Sequence, residues 1–404
     1  MSTGQKDFAL IAATILAAGL PFLLAPIRAQ VLGPAGRGEF AYFQSSMSIL
    51  FAVSALGVRH AVYRTKRSGP ARFESSNRAV LTFALIASVL AGVVLVTLAR
   101  NTMSPLVAVT VMVASLLGPV YALTQLEMAN SQLGRYRKRI ATLAGAPAVV
   151  EFACSLLLLF IKQFSVMTAI WATLLAEAVR NSAAIFWRLR DRKLARPSAV
   201  FRDKSGILLL RASLIAAPAV LVPILASNLD SIIYGSMLGA SSLGMYVVAK
   251  IGFSVFVLMA ITAEGFVVAR LAHRKPIESL ILLALVGTPV AAIASGLGLV
   301  LFPYFFGDAF EQARVAFPIA VSAGVMGAGF VSFLSIAAFN GRQRSAFLAA
   351  VVSLLALGLG AVAISLFVTP NASEMCLVLL GAQTLGVLQI ALGMTPNSKG
   401  ILNA

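Results

Sequence analysis

The feature that most restricts this chain is a recurrent apolar run, about as long as a bilayer is thick, broken by short polar segments. Twelve such runs are read, at about 8–32, 39–58, 79–99, 103–126, 140–161, 164–187, 212–234, 243–269, 277–302, 313–340, 345–368 and 372–394. A membrane-spanning helix needs roughly 20 predominantly apolar residues, so the spacing predicts twelve transmembrane helices and an all-α fold. Run one is not read as a cleaved signal peptide. It exceeds the apolar core of a secretory leader and passes Pro21, Pro26 and Arg28 without a small-residue cleavage site. Composition agrees: the chain is 59% hydrophobic and 11% charged, against about 25% charged in soluble domains. With two Cys and two His in 404 residues, a disulfide framework, a thiolate zinc site and His-based acid–base chemistry are not expected.

A net charge of +18 on a soluble protein would point to nucleic acid. Here the distribution of the basic residues carries the meaning. Placing the N-terminus in the cytoplasm puts 25 of the 32 Lys and Arg residues on cytoplasmic segments. Four fall on the opposite side, Arg37, Arg100, Lys162 and Arg314, and three lie within helices, Arg28, Arg180 and Lys250. That asymmetry follows the positive-inside rule with both termini cytoplasmic. Its partners are anionic lipid headgroups at the basic loops, not nucleic acid.

An internal repeat organises the twelve runs. The segment from Leu32-Gly33 through Gly38 to Phe40 shares a Leu-Gly-x4-Gly-x-aromatic frame with Leu238-Gly239 through Gly244 to Tyr246, at an offset of 206 residues. Gly134-Arg135-Tyr136-Arg137 is echoed by Gly341-Arg342-Gln343-Arg344 at an offset of 207. Both offsets are about half the chain. They predict two six-helix lobes, residues 1–195 and 196–404, as parallel repeats with a substrate site between them. The glycines at 33, 36 and 38, and at 358 and 360, follow no strand and precede no Gly-Lys-Ser/Thr, so a phosphate-binding loop is not expected.

Ionisable residues inside the membrane are the strongest functional pointers, since each is costly unless paired or hydrated. Arg28 and Asp230 each lie about 6 Å, and Lys250 about 10 Å, from the outer ends of their helices at 1.5 Å per residue. They form the leading candidate for a substrate cavity or outer gate, with snorkelling to the interface as the competing reading for each. Asp230 is the candidate ligand for a coupling cation; no resident metal or other cofactor is expected. Gln44, Glu151 and Asn228 are weaker cavity candidates. Glu177 and Arg180 are three residues apart on one helix and are expected to pair. Glu127 and Glu264 lie near cytoplasmic ends, where headgroups or loop arginines suffice, and Asp308 and Glu311 form a solvated outer patch. Pro21 and Pro26, like Pro218 and Pro223, are expected to bend the first helix of each lobe.

Two stretches carry a family resemblance: Arg28-x3-Leu32-Gly33-x4-Gly38-Glu39-Phe40-Ala41, and Leu229-Asp230-x3-Tyr234-Gly235-x2-Leu238-Gly239-x4-Gly244-x-Tyr246-x2-Ala249-Lys250. The chain resembles the polysaccharide-biosynthesis flippases of the multidrug/oligosaccharidyl-lipid/polysaccharide exporter superfamily. The resemblance implies movement of an isoprenoid-pyrophosphate-linked oligosaccharide from the inner to the outer leaflet of a bacterial cytoplasmic membrane by alternating access. It further implies a cationic cavity onto which Arg28 and Lys250 map, H⁺ or Na⁺ coupling in some relatives, and a polysaccharide polymerase and glycosyltransferases as partners; a monomer is expected. Twelve helices depart from the lipid II flippase branch, which generally has fourteen. The competing functions are a multidrug/cation antiporter of the same superfamily and an integral membrane glycosyl- or phosphotransferase. The latter would need a large carboxylate- or His-bearing outer loop, and the outer loops here are short.

Overall fold

The computed structural model describes residues 3–55, 57–58, 61–62, 77–133, 136–194, 204–262, 276–339, 342–367 and 371–393. All regular structure among these residues is helical. In chain order the helices are α1 Thr3–Ala55, α2 Asn77–Ala99, α3 Pro105–Leu116, α4 Gly118–Leu133, α5 Arg137–Phe160, α6 Val166–Leu194 and α7 Lys204–Ala249. They continue with α8 Ile251–Thr262, α9 Pro276–Phe306, α10 Glu311–Phe339, α11 Gln343–Phe367 and α12 Ala372–Gly393, with a 3₁₀ turn at Asp308–Phe310.

Seven stretches among the described residues are long and apolar enough to cross a bilayer unaided: Val80–Ala99, Lys138–Phe160, Ser227–Ala249, Glu278–Phe306, Asp308–Ala337, Arg344–Ile364 and Ala372–Gly393. The pair α3 and α4, bent by 52°, would make an eighth as one broken span. Large apolar side chains such as Leu90, Phe160, Leu285 and Leu359 point outward. That exposure would destabilise a soluble fold and is what a lipid-facing surface requires. The protein is an all-helical, multi-pass membrane protein.

The two longest helices are each broken at a repeat glycine. In α1 the backbone leaves helical geometry at Gly33 (φ 65°, ψ −179°), and in α7 at Gly239 (φ 82°, ψ 175°). A positive φ with ψ near 180° is essentially a glycine-only conformation. The shared glycine therefore has a shared physical cause. Where the sequence suggests a connecting loop over Leu32–Phe40, one residue redirects the chain and the helix resumes. Helix α1 runs on through Pro21 and Pro26, so the recorded break lies at Gly33 rather than at the prolines.

The second glycine of the frame serves close approach. A methyl group built on Gly38 would overlap the Ala240 carbonyl and lie 2.9 Å from the Gly244 nitrogen. One built on Gly244 would overlap the Pro34 carbonyl and lie 3.1 Å from the Gly38 nitrogen. Under the 206-residue offset, Pro34 maps to Ala240 and Gly38 to Gly244, so the contact maps onto itself. Backbone meets backbone with no room for a side chain on either strand of the joint.

The chain forms two compact units, Met1–Leu32 with Tyr42–Ile224, and Gly33–Ala41 with Leu225–Ala404. Within the first, α5 packs on α6, α2 on α3 and α4, and α4 on α6. One of its apolar clusters joins Val58, Val62, Val80, Leu126 and Leu209. Within the second, α10 packs on α8, α9 and α12, and α11 on α12. Phe253, Ala323, Leu357, Leu379 and Ala382 form a core there.

Candidate functional site

Each unit carries an intramembrane ion pair built from its own residues. In the first, Arg28 lies on α1, five residues before the Gly33 elbow, and is almost fully buried. Its Nη2 donates to Glu151 Oε1 at 2.8 Å and to Ser155 Oγ at 3.2 Å. Glu151 and Ser155 are four residues apart on α5 and so share a face. Thr173 of α6 donates its hydroxyl to the same Oε1 at 2.9 Å. The constellation ties α1, α5 and α6 together, and all of Glu151's bonds fall on one carboxylate oxygen while its side chain keeps 14% exposure.

In the second unit, Asp230 of α7 is completely buried. Its Oδ1 accepts the Ser231 N–H at 2.7 Å and the Ser231 hydroxyl at 3.3 Å. Its Oδ2 accepts the Tyr246 hydroxyl and pairs with the Lys250 ammonium. Lys250 Nζ also donates to the Ser227 carbonyl at 2.8 Å and lies 5.7 and 5.8 Å from the ring centres of Tyr246 and Phe253. The Gly239 elbow makes this possible. Tyr246 and Lys250 follow it, four residues apart on one face, and return to Ser227, Asp230 and Ser231, which precede it. Tyr234 meets the Tyr246 ring edge-on with centroids 5.0 Å apart.

Of the three leading candidates from sequence, Asp230 and Lys250 are thus in direct contact, and Arg28 takes Glu151 as its partner. Glu151 was ranked among the weaker candidates and turns out to be that partner. Asn228 donates its amide to the Ser227 hydroxyl at 3.0 Å, and Gln44 is half-buried, its carbonyl accepting the Ser48 hydroxyl. Glu177 and Arg180 pair as their spacing predicts, with the guanidinium 4.9 Å from the Tyr121 ring centre. Glu127 pairs with Arg139 at 3.3 Å, a loop-proximal arginine as expected. Glu311 is exposed and paired with Arg314 at 3.3 Å. Glu264 lies outside the described residues.

Four side-chain partners are not marked in the sequence reading: Ser155, Thr173, Ser231 and Tyr246. A signal existed for two of them. Ser155 is four residues after Glu151, and Tyr246 is four before Lys250, so each shares a helical face with an intramembrane charge. Thr173 lies on a different helix from the charges it serves; its four-residue spacing points to Glu177 of its own helix instead.

A family model described as "Polysaccharide biosynthesis protein" matches residues 3–263. The chain belongs to that family. Among curated protein sequences, none matches significantly. Solved structures similar to this family member share its fold at low identity. The lipid II flippase MurJ in an inward closed conformation has a TM-score of 0.71 at 12% identity, covering 96% of this chain and 87% of that one. An inward-facing multidrug resistance MATE family transporter of the MOP superfamily has a TM-score of 0.65 at 13% identity, covering 96% and 95%. A MOP superfamily transporter from Pyrococcus furiosus, whose binding pocket is described as reversed in polarity, has a TM-score of 0.52 at 14% identity, covering 96% and 94%. The family description concerns polysaccharide biosynthesis, and the solved structures show that the fold is shared with MurJ and with MATE transporters.

Proposed function

We propose that this polysaccharide-family protein is a flippase that moves an isoprenoid-pyrophosphate-linked oligosaccharide from the cytoplasmic to the outer leaflet by alternating access. The observation that carries the reading is the family match over residues 3–263 in a chain whose fold is similar to a lipid II flippase. In this reading the prenyl tail stays in lipid, the anionic headgroup passes Arg28, and no bond is made or broken. The membrane is a bacterial cytoplasmic membrane. The protein acts as a monomer beside a polysaccharide polymerase and glycosyltransferases, and its basic loops meet anionic lipids.

Twelve spans with both termini cytoplasmic, in lobes of residues 1–195 and 196–404, belong to the same reading. The two glycine breaks support it: Gly33 divides α1 into two span-length parts, and Gly239 separates a span-length stretch of α7 from a shorter one that α8 follows. The charge asymmetry of 25 cytoplasmic against four outer basic residues supports the orientation.

Arg28 is held by Glu151, so a pyrophosphate must compete with that carboxylate for the guanidinium. Loading would then loosen Glu151 from Arg28. H⁺ or Na⁺ coupling is part of the reading, and sodium at Asp230 would require the Lys250 ammonium to leave. Export of cationic drugs fits less well. Among the described residues, Glu151, Glu177 and Asp230 each already carry a cationic side chain, so none of these three is a net anionic site for a cationic cargo.

The test is the leaflet accessibility of a fluorescent, pyrophosphate-linked glycolipid in proteoliposomes made with the purified protein. Accelerated loss of the protected pool is expected, and Arg28→Ala should slow it at least tenfold. Equal rates in protein-free vesicles would defeat the proposal.

A further inference from the structure

The network around Lys250 has the composition of a monovalent-cation site. One carboxylate oxygen, Asp230 Oδ2, and one backbone carbonyl, that of Ser227, face a single positive centre. The Tyr246 and Phe253 rings stand 5.7 and 5.8 Å from it, at a distance where ring quadrupoles attract a cation. Carboxylate, carbonyl and aromatic faces are the groups that hold a small ammonium or alkali ion out of water. The positive centre occupying that cage is a side chain of the protein itself.

The carboxylate has no capacity left for a second cation. An ionised Asp offers about four acceptor positions. Asp230 uses two on Oδ1, for the Ser231 N–H and hydroxyl, and two on Oδ2, for the Tyr246 hydroxyl and the Lys250 ammonium. The group is completely buried, so water cannot complete the shell of an added ion. A sodium ion could bind Asp230 only by displacing an ammonium that is covalently tethered. Tethering matters energetically, because the ammonium gives up no translational freedom on binding.

We infer that the second unit contains a monovalent-cation site permanently filled by the Lys250 ammonium, so that Asp230 is a structural counter-charge and not the binding point of a coupling ion. The consequence is specific. Removing the ammonium, and only then, opens a site of monovalent-cation chemistry at Asp230.

The experiment uses the purified full chain in detergent and follows its thermal unfolding midpoint. Sodium, potassium, methylammonium and n-propylammonium chlorides are compared with N-methylglucamine chloride at equal ionic strength. The wild-type midpoint should not distinguish among these salts. Lys250→Ala should unfold at lower temperature and recover on the order of 3 °C with at least one of the small cations, and the recovery should vanish when Asp230→Asn is added. Lys250→Met, which keeps the bulk of the stem but not the charge, should show the same salt response, and Lys250→Arg should show none. Asp230-dependent stabilisation of the wild type by sodium or potassium would overturn the inference. So would variants at Lys250 that ignore every probe. Should Lys250→Ala and Lys250→Met both fail to fold, recovery of folded protein on adding Asp230→Asn supports a resident cation, and continued failure overturns it. The readout is folding rather than transport, so its outcome is separable from that of the flippase reading.

Discussion

The Arg28–Glu151 and Asp230–Lys250 ion pairs are alike in chemistry and opposite in construction. In the first unit, Arg28 meets a carboxylate 123 residues away, on a different helix, and every bond to that carboxylate falls on Glu151 Oε1. In the second, Asp230 and Lys250 lie within one hairpin of helix, and both carboxylate oxygens are fully engaged. One pair is open on one side and keeps partial exposure at Glu151. The other is closed. The open edge of Glu151 can accept a further donor with its ion pair intact, whereas the closed pair must break before anything binds to Asp230. The difference teaches that a charge inside a membrane is not by itself a site; spare coordination is what makes it one.

The sharpest way to break this contrast is to neutralise each carboxylate without changing its shape. Asn at 230 must turn its NH2 toward one of two donor sets, either Ser231 or Tyr246 with Lys250, and it leaves the ammonium without a counter-charge. Asp230→Asn should therefore cost about 3–5 kcal/mol, the range for breaking a buried pair, read as a large drop in folded yield and unfolding midpoint. Tyr246→Phe removes one hydrogen bond to a buried charge and should cost about 1.5–3 kcal/mol in the same assay. Gln at 151 can keep its oxygen at the Oε1 position and put its NH2 toward the unbonded side. Gln also leaves the buried Arg28 guanidinium without its counter-charge while keeping its hydrogen bonds. Glu151→Gln should thus cost about 1.5–3 kcal/mol, less than Asp230→Asn, while weakening the competition for Arg28, so that inorganic pyrophosphate or a pyrophosphate-linked lipid binds more tightly. If Glu151→Gln proved as destabilising as Asp230→Asn, the distinction between an open and a closed pair would be lost.

How much of this was readable in the chain depends on the range of the interaction involved. The Leu-Gly-x4-Gly frame was visible at an offset of 206 residues, yet its meaning was not. A glycine in a sequence can signal a turn, close packing or nothing at all. The torsion angles at Gly33 and Gly239 and the reciprocal approach of Gly38 and Gly244 assign the first to a backbone break and the second to a joint. The pairing of Glu177 with Arg180 was readable because both lie on one helix three residues apart. Arg28 could be marked as unusual but not given a partner, because nothing local distinguishes Glu151 from any other acidic residue in an apolar run.

By itself the sequence determined that the chain is helical and membrane-embedded. Hydrocarbon leaves the backbone few ways to satisfy its hydrogen bonds, and runs of about 20 apolar residues with few charges take the helical one. It also determined which few residues would bear cost in that environment and must therefore be explained. Tertiary structure alone decided what each of them touches. An ion pair inside a membrane is set by which helix faces meet and by how many acceptor positions remain after they do. Those quantities depend on the meeting of Arg28 with α5, on the packing of α5 against α6, and on the return of the chain at Gly239. Arg28 and Asp230 look alike as charges in apolar runs; the fold gives one a shared carboxylate edge and the other a filled cage.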